Sequence, residues 1–181
     1  MGEPRRPRKL DRDQLWDYAL RSLGQRAQSA SELRQKLARR AESPGDIGAT
    51  MDRLREYGFA NDETFSEAFA ATRLNNQGFG SQRVLRDLAA KRVPKTVAAD
   101  AVARAYADTS EVELIERFLT RKYRGKDLRE FFADQKRLMQ AFRRLRMAGF
   151  TAAGSMNALR KHAHGTVDEW PEPDEDLGDA G

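Results

Sequence analysis

The sequence predicts an all-α protein built as an elongated, curved array of three tandem three-helix repeats. Three observations predict it. Apolar residues recur at steps of three or four nearly everywhere between residues 13 and 164, and no stretch alternates with the period of a strand. An apolar pair returns in the middle helix of each repeat, as Leu33/Leu37, Val84/Leu88 and Leu138/Phe142, while Gly58-Phe59 is echoed by Gly149-Phe150. Composition agrees: with 39% hydrophobic and 34% charged residues in 181, the chain suits several thin cores better than one thick one.

The first repeat, residues 13–60, opens with a stripe of Trp16, Ala19, Leu23 and Ala27. Ser29 followed by Glu32 reads as a capping box for the middle helix, whose inner pair is Leu33/Leu37. Ser43 before Pro44 marks the third helix, with Ile47, Met51 and Leu54 inward and Gly58 as its left-handed stop. The second repeat, 61–107, starts at Asn61-Asp62 with Phe65, Phe69 and Thr72 on one face. It turns at Gly78-Phe79-Gly80, resumes at Ser81 around Val84, Leu85 and Leu88, and starts its last helix at Pro94 with Val97, Ala101 and Ala105 inward. The third, 108–164, opens on a Ser110/Glu113 cap with Val112, Ile115 and Leu119, continues through Leu138, Phe142 and Leu145 to Gly149, and ends on Met156, Leu159 and Ala163. Lys126 to Asp134, with adjacent Phe131 and Phe132, departs from the repeat as an inserted turn or helical extension. Residues 1–12 (Pro- and Arg-rich) and 165–181 (acidic, with Pro171 and Pro173) carry too little apolar area to order themselves and are expected to be disordered arms.

With no cysteine and two histidines, the chain has neither a disulfide framework nor the ligands of a structural metal site, and a reducing cytoplasm is the expected setting. No apolar run approaches a membrane span, and the start lacks a secretory core. His162 and His164 lie two apart, off a common helical face and without a carboxylate trio, so they read as surface histidines. Gly78-Phe79-Gly80 lies between helices and lacks the strand that a phosphate-binding loop needs. Neither an enzyme nor a cofactor is expected.

Charge is the sharper signal. The formal net charge is +5, but the seven acids of residues 165–181 have no basic residue among them, so residues 1–164 alone carry +12. Such a body attracts a polyanion or an acidic protein surface. Lys36, Arg39 and Arg40 flank the first inner pair; Arg83, Arg86, Lys91 and Arg92 the second; Arg137, Arg143, Arg144 and Arg146 the third. Side chains away from an inward stripe project outward, so three equivalent helices could align one positive face that follows a phosphate backbone or an acidic groove. The alternative is three unrelated solvated faces. Tyr123, within Arg121-Lys122-Tyr123-Arg124, could stack a base or anchor a helix end. The acidic tail is a candidate internal mimic of DNA, or simply a spacer.

On these residues the chain resembles the RecX regulatory proteins over roughly residues 13–164. The resemblance rests on Ala19-Leu20 and Leu23, on Ser31-Glu32-Leu33-Arg34-Gln35-Lys36-Leu37, on the block from Leu54 to Phe65, and on Arg73, Gly78-Phe79-Gly80 and Arg83-Val84-Leu85-Arg86-Asp87-Leu88. The chain departs where Phe59-Ala60-Asn61 replaces the family's Tyr-Leu-Asp, Ser81 its proline, and Lys91-Arg92-Val93 its Lys-Gly-Ile. The resemblance implies a cytoplasmic, non-enzymatic modulator of the RecA recombinase that lies in the groove of RecA filaments on DNA, limits ATP hydrolysis and strand exchange, and so acts in recombination, repair and the SOS response. The implied partners are RecA and single- or double-stranded DNA, with no membrane and no small-molecule substrate. A stand-alone DNA-binding protein using one helix-turn-helix-like pair is the other reading of the same charges.

Overall fold

Asp11 accepts the backbone N–H of Gln14 at 2.9 Å and thereby starts α1 (Arg12–Gln25), the first helix of a computed structural model that describes residues 8–163. Order reaches further toward the N-terminus than the Pro- and Arg-rich composition suggests. Leu10 exchanges backbone hydrogen bonds with Arg40 and Glu42 in an isolated parallel bridge. Ser29 caps α2 (Ala30–Arg40) with both bonds of the capping box, and Ser43 caps α3 (Pro44–Glu56), which Gly58 follows at φ +72°.

Next come α4 (Asp62–Thr72), a π-helical turn over Arg73–Gln77, α5 (Ser81–Ala90) and α6 (Lys95–Tyr106). The last group is α7 (Glu111–Lys122), capped by Ser110; α8 (Leu128–Phe131), capped by Asp127; α9 (Gln135–Met147), capped by Asp134; and α10 (Ala152–Arg160), capped by Thr151. The segment that breaks the repeat pattern is thus one extra helical turn, fixed by an aspartate cap and by the fully buried ring of Phe132. Among the described residues there is no strand beyond that single bridge, and the fold is all-helical.

By compactness the chain divides into two units, Met1–Thr72 with Leu85–Ala105, and Arg73–Val84 with Tyr106–Gly181. This division differs from chain order, because the helices read as a second repeat are shared between the units.

In the first unit α1 packs on α2 and α3 around Leu15, Ala19, Leu33, Leu37, Met51 and Leu54. The buried face of α1 is Leu15, Ala19 and Ser22, one position away from the stripe that spacing suggested. Trp16 and Leu23 are half-buried, and Ala27 lies beyond the helix, exposed. The polar Ser22 is tolerated inside because Gln28 donates to its carbonyl at 2.7 Å and to its hydroxyl at 3.0 Å. The face of α6 likewise centres on Ala98, Ala101 and Val102, with Val97 and Ala105 half-buried.

In the second unit α10 packs on α7 and α9 around Leu114, Ile115, Leu119, Phe132, Leu145 and Phe150. Ala141 takes the buried position beside Leu138 and Leu145, and Phe142 is only half-buried. Gly80 and Gly149 meet there backbone to backbone: the Gly80 N–H donates to the Ala148 carbonyl at 2.9 Å and the Gln82 N–H to the Gly149 carbonyl at 3.2 Å. A Cβ on Gly80 would lie 2.2 Å from the Gly149 carbonyl oxygen, so these glycines serve close approach as well as chain reversal.

Candidate binding surfaces

The eleven basic residues flanking the middle-helix pairs do not share one environment. Three are turned into the protein. Lys36 donates to the buried Ser22 hydroxyl at 2.9 Å. Lys91 bridges to Glu32 at 3.1 Å, its ammonium lies 6.0 and 5.7 Å from the Phe65 and Phe69 ring centres, and its carbonyl accepts the Ser29 hydroxyl at 2.7 Å. Arg146 donates to the Phe150 carbonyl at 2.5 Å and to Gln82 at 3.4 Å.

Glu32 shows what such a contact does to a charge. Burial alone would push its carboxyl up. The hydrogen bonds from Lys91, the Ser29 N–H and Arg26, together with the Lys91 charge, outweigh burial and hold it below its ordinary value.

In the first unit Arg39, Arg86 and Arg92 are exposed, and Arg40 is half-buried with its guanidinium 5.5 Å from the Tyr18 ring centre. Arg92 stands in left-handed backbone at φ +57°. In the second unit Arg137, Arg143 and Arg144 are exposed. Arg137 lies over Phe131 at 4.9 Å and near Asp134 at 3.7 Å. Half-buried Arg83 lies 5.2 Å from the Phe79 ring centre and donates to the Met147 carbonyl at 3.3 Å.

Two further surfaces were not foreseen from the sequence. On the first unit, Tyr57 and Phe59 are 59% and 51% exposed, stack at 6.1 Å, and extend a row begun by Trp16, 5.9 Å from Tyr57; Arg53 caps Trp16 at 4.0 Å. Spacing placed Trp16 inward, and only the neighbouring helix end shows the row. On the second unit an open cleft of about 530 Å³ is lined by Phe79, Phe118, Arg121, Lys122 and Arg144. Its sequence signal is the run Arg121-Lys122-Tyr123-Arg124, of which Arg121 and Lys122, not the central tyrosine, line the cleft. Tyr123 itself is an anchor: half-buried, packed on Phe131 and Phe132 at 5.2 Å each, and accepting from Arg144 at 3.3 Å. His162 meets Glu116 at 2.9 Å, and His164 and the acidic tail lie outside the described residues.

Among the described residues no group of His, Cys, Asp or Glu could hold a metal ion, and no helix is long and apolar enough to cross a membrane. What the surface offers is cations, ring faces and shape.

Known proteins share this chain's sequence pattern and its fold. Residues 16–54 match the family described as RecX, first three-helix domain, and residues 61–102 the one described as RecX, second three-helix domain. Regulatory protein RecX of Halorhodospira halophila is 31% identical over 140 residues, 75% of this chain and 80% of that protein. Its counterpart from Syntrophotalea carbinolica is 28% identical over 142 residues, 78% of this chain and 92% of that one. The crystal structure of RecX from Lactobacillus salivarius superposes with a TM-score of 0.65 at 17% identity, over 83% of this chain and 96% of that one, which extends the likeness to the fold. The matched domains, the shared helical architecture and a relative of this identity across most of its length place the chain in the RecX family of regulatory proteins.

Proposed function

We propose that this chain regulates RecA by binding RecA filaments on DNA and inhibiting their ATPase, extension and strand exchange, without chemistry of its own. Membership of the RecX family carries the reading, and the exposed cations on both units support it, since a filament of protein and nucleic acid presents phosphate and acidic side chains together. The contacts assigned to it are Arg39, Arg40, Arg86 and Arg92 on the first unit and Arg83, Arg137, Arg143 and Arg144 on the second. Lys36, Lys91 and Arg146 support these surfaces from within and are withdrawn as direct contacts.

The test reverses three exposed positions at once, Arg39→Glu, Arg86→Glu and Arg143→Glu, and titrates the variant against the ATPase of RecA on single-stranded DNA. The concentration needed for half inhibition rises roughly tenfold or more while the helical circular dichroism is unchanged. Unaltered inhibition by the variant removes these residues from the interface, and absence of inhibition by the unmodified chain removes the proposal. Tight, sequence-selective duplex binding without RecA would support the stand-alone DNA-binding alternative instead.

A further inference from the structure

We propose that the cleft on the second unit seats a short stretch of single-stranded nucleic acid, its phosphates held by Arg121, Lys122 and Arg144 and a base laid against Phe118 or Phe79. The inference deepens the proposed function, resting on it only for the presence of nucleic acid. It concerns a surface centred on the end of α7, which shares only Arg144 with the contacts expected on the middle helices.

Size comes first. At about 530 Å³ the cleft falls within the range of small-ligand sites, about 300–1,000 Å³, and so suits a nucleotide and not a helix. Charge comes second. Arg121, Lys122 and Arg144 are exposed, and Arg121 is shared with an adjoining recess of about 520 Å³ lined also by Arg117, Thr120, Arg124 and Glu116. Arg117 and Arg121 lie one turn apart on α7, Arg124 follows just beyond its end, and Arg121 lines both recesses and joins them. Among the described residues the only acid on either lining, Glu116, is engaged by His162 at 2.9 Å.

Third, two of the three cations are held in place. Arg121 donates to the Gln77 carbonyl with its guanidinium 5.9 Å from the Phe118 ring centre, and Arg144 is tied to the Tyr123 hydroxyl at 3.3 Å. Groups already ordered lose less freedom on binding. An acidic peptide would satisfy the charges and use the phenyl walls only if it also carried a ring at the right place, whereas every nucleotide brings both a phosphate and a base that stacks on such a wall whatever its sequence.

The experiment uses the full chain without RecA and a fluorescein-labelled oligothymidylate of about 15 nucleotides, followed by anisotropy across a salt series. The chain binds it. Lys122→Glu with Arg144→Glu weakens binding roughly tenfold or more and lowers the log–log salt slope by about 1.4, at ~0.7 for each phosphate of a single strand that is no longer neutralised. Phe118→Leu weakens binding with the slope unchanged. Arg129→Glu with Lys136→Glu makes the same change in charge at exposed positions lining neither recess, and stays within about twofold of the parent.

Failure of the parent chain to bind the oligonucleotide, an equal loss in the control pair, equal competition by polyglutamate, or binding of free ATP in place of the strand would each overturn the assignment. Because RecA is absent throughout, a chain that binds the strand but leaves RecA uninhibited refutes the proposed function and spares the cleft.

Discussion

At the scale of single residues, Arg92 carries a backbone cost: it is left-handed at φ +57°, a region that favours glycine. A Cβ in that region costs about 1–2 kcal/mol, part of which glycine's greater freedom in the unfolded chain takes back. Arg92→Gly is therefore expected to stabilise the protein by about 0.5–1 kcal/mol in urea unfolding, even as it removes an exposed positive charge. A destabilised variant would show that the arginine side chain contributes more than the strain costs. The same turn contains Lys91, whose bridge to Glu32 sets a pH dependence. With the Glu32 carboxyl held low in the folded state, its contribution is complete above the ordinary glutamate value and disappears as pH falls through the lowered one. Thermal unfolding followed through the acid range should show a drop that is smaller in Glu32→Gln; identical acid limbs would mean that this bridge does not hold the turn.

At the scale of elements, helix boundaries were well legible and buried faces less so. The capping box at Ser29, the Ser43-Pro44 start and the Gly58 stop are local chemistry, decided within four residues, and the structure has all three. The faces of α1 and α6 shifted by one position because spacing gives a helix's period, whereas the depth of each position depends on the neighbouring helices. Gly149 shows the limit from the other side. Read as a helix stop, it is one, at φ +93°, yet an added Cβ there would also lie 2.2 Å from the backbone nitrogen of Arg83. Gly149→Ala should accordingly cost about 3 kcal/mol or more in chemical denaturation, from strained backbone and overlap together. A cost below about 1 kcal/mol would mean that the packing of the Gly80 turn on the end of α9 yields easily. Tyr106 braces the same turn, donating to the Phe79 carbonyl at 2.6 Å, and burial pushes its hydroxyl up to about 12. The neutral donor is thus retained until strongly alkaline pH, and the stabilisation it gives is lost as pH rises through that value.

At the scale of the molecule, charge decides what the protein meets and packing decides which charges are offered. A body of +12 over residues 1–164 predicts binding that weakens steeply with salt, and reversal of exposed arginines should lower that dependence, whereas reversal of the inward-bonded Arg146 should instead destabilise its unit. The helical class, the inner pairs Leu33/Leu37 and Val84/Leu88, the caps at Ser29, Ser43 and Ser110 and the basic balance were legible in the amino-acid order, since they depend on residue type and on neighbours a few positions away. Packing separated Lys36, Lys91 and Arg146, which bond inward, from the exposed arginines. It also brought Phe79 and Phe118 beside Arg121, Lys122 and Arg144, and the run at residues 121–124 announces only cations of that cleft, because Phe79 and the α7 residues, some forty positions apart, come together only once their helices have packed.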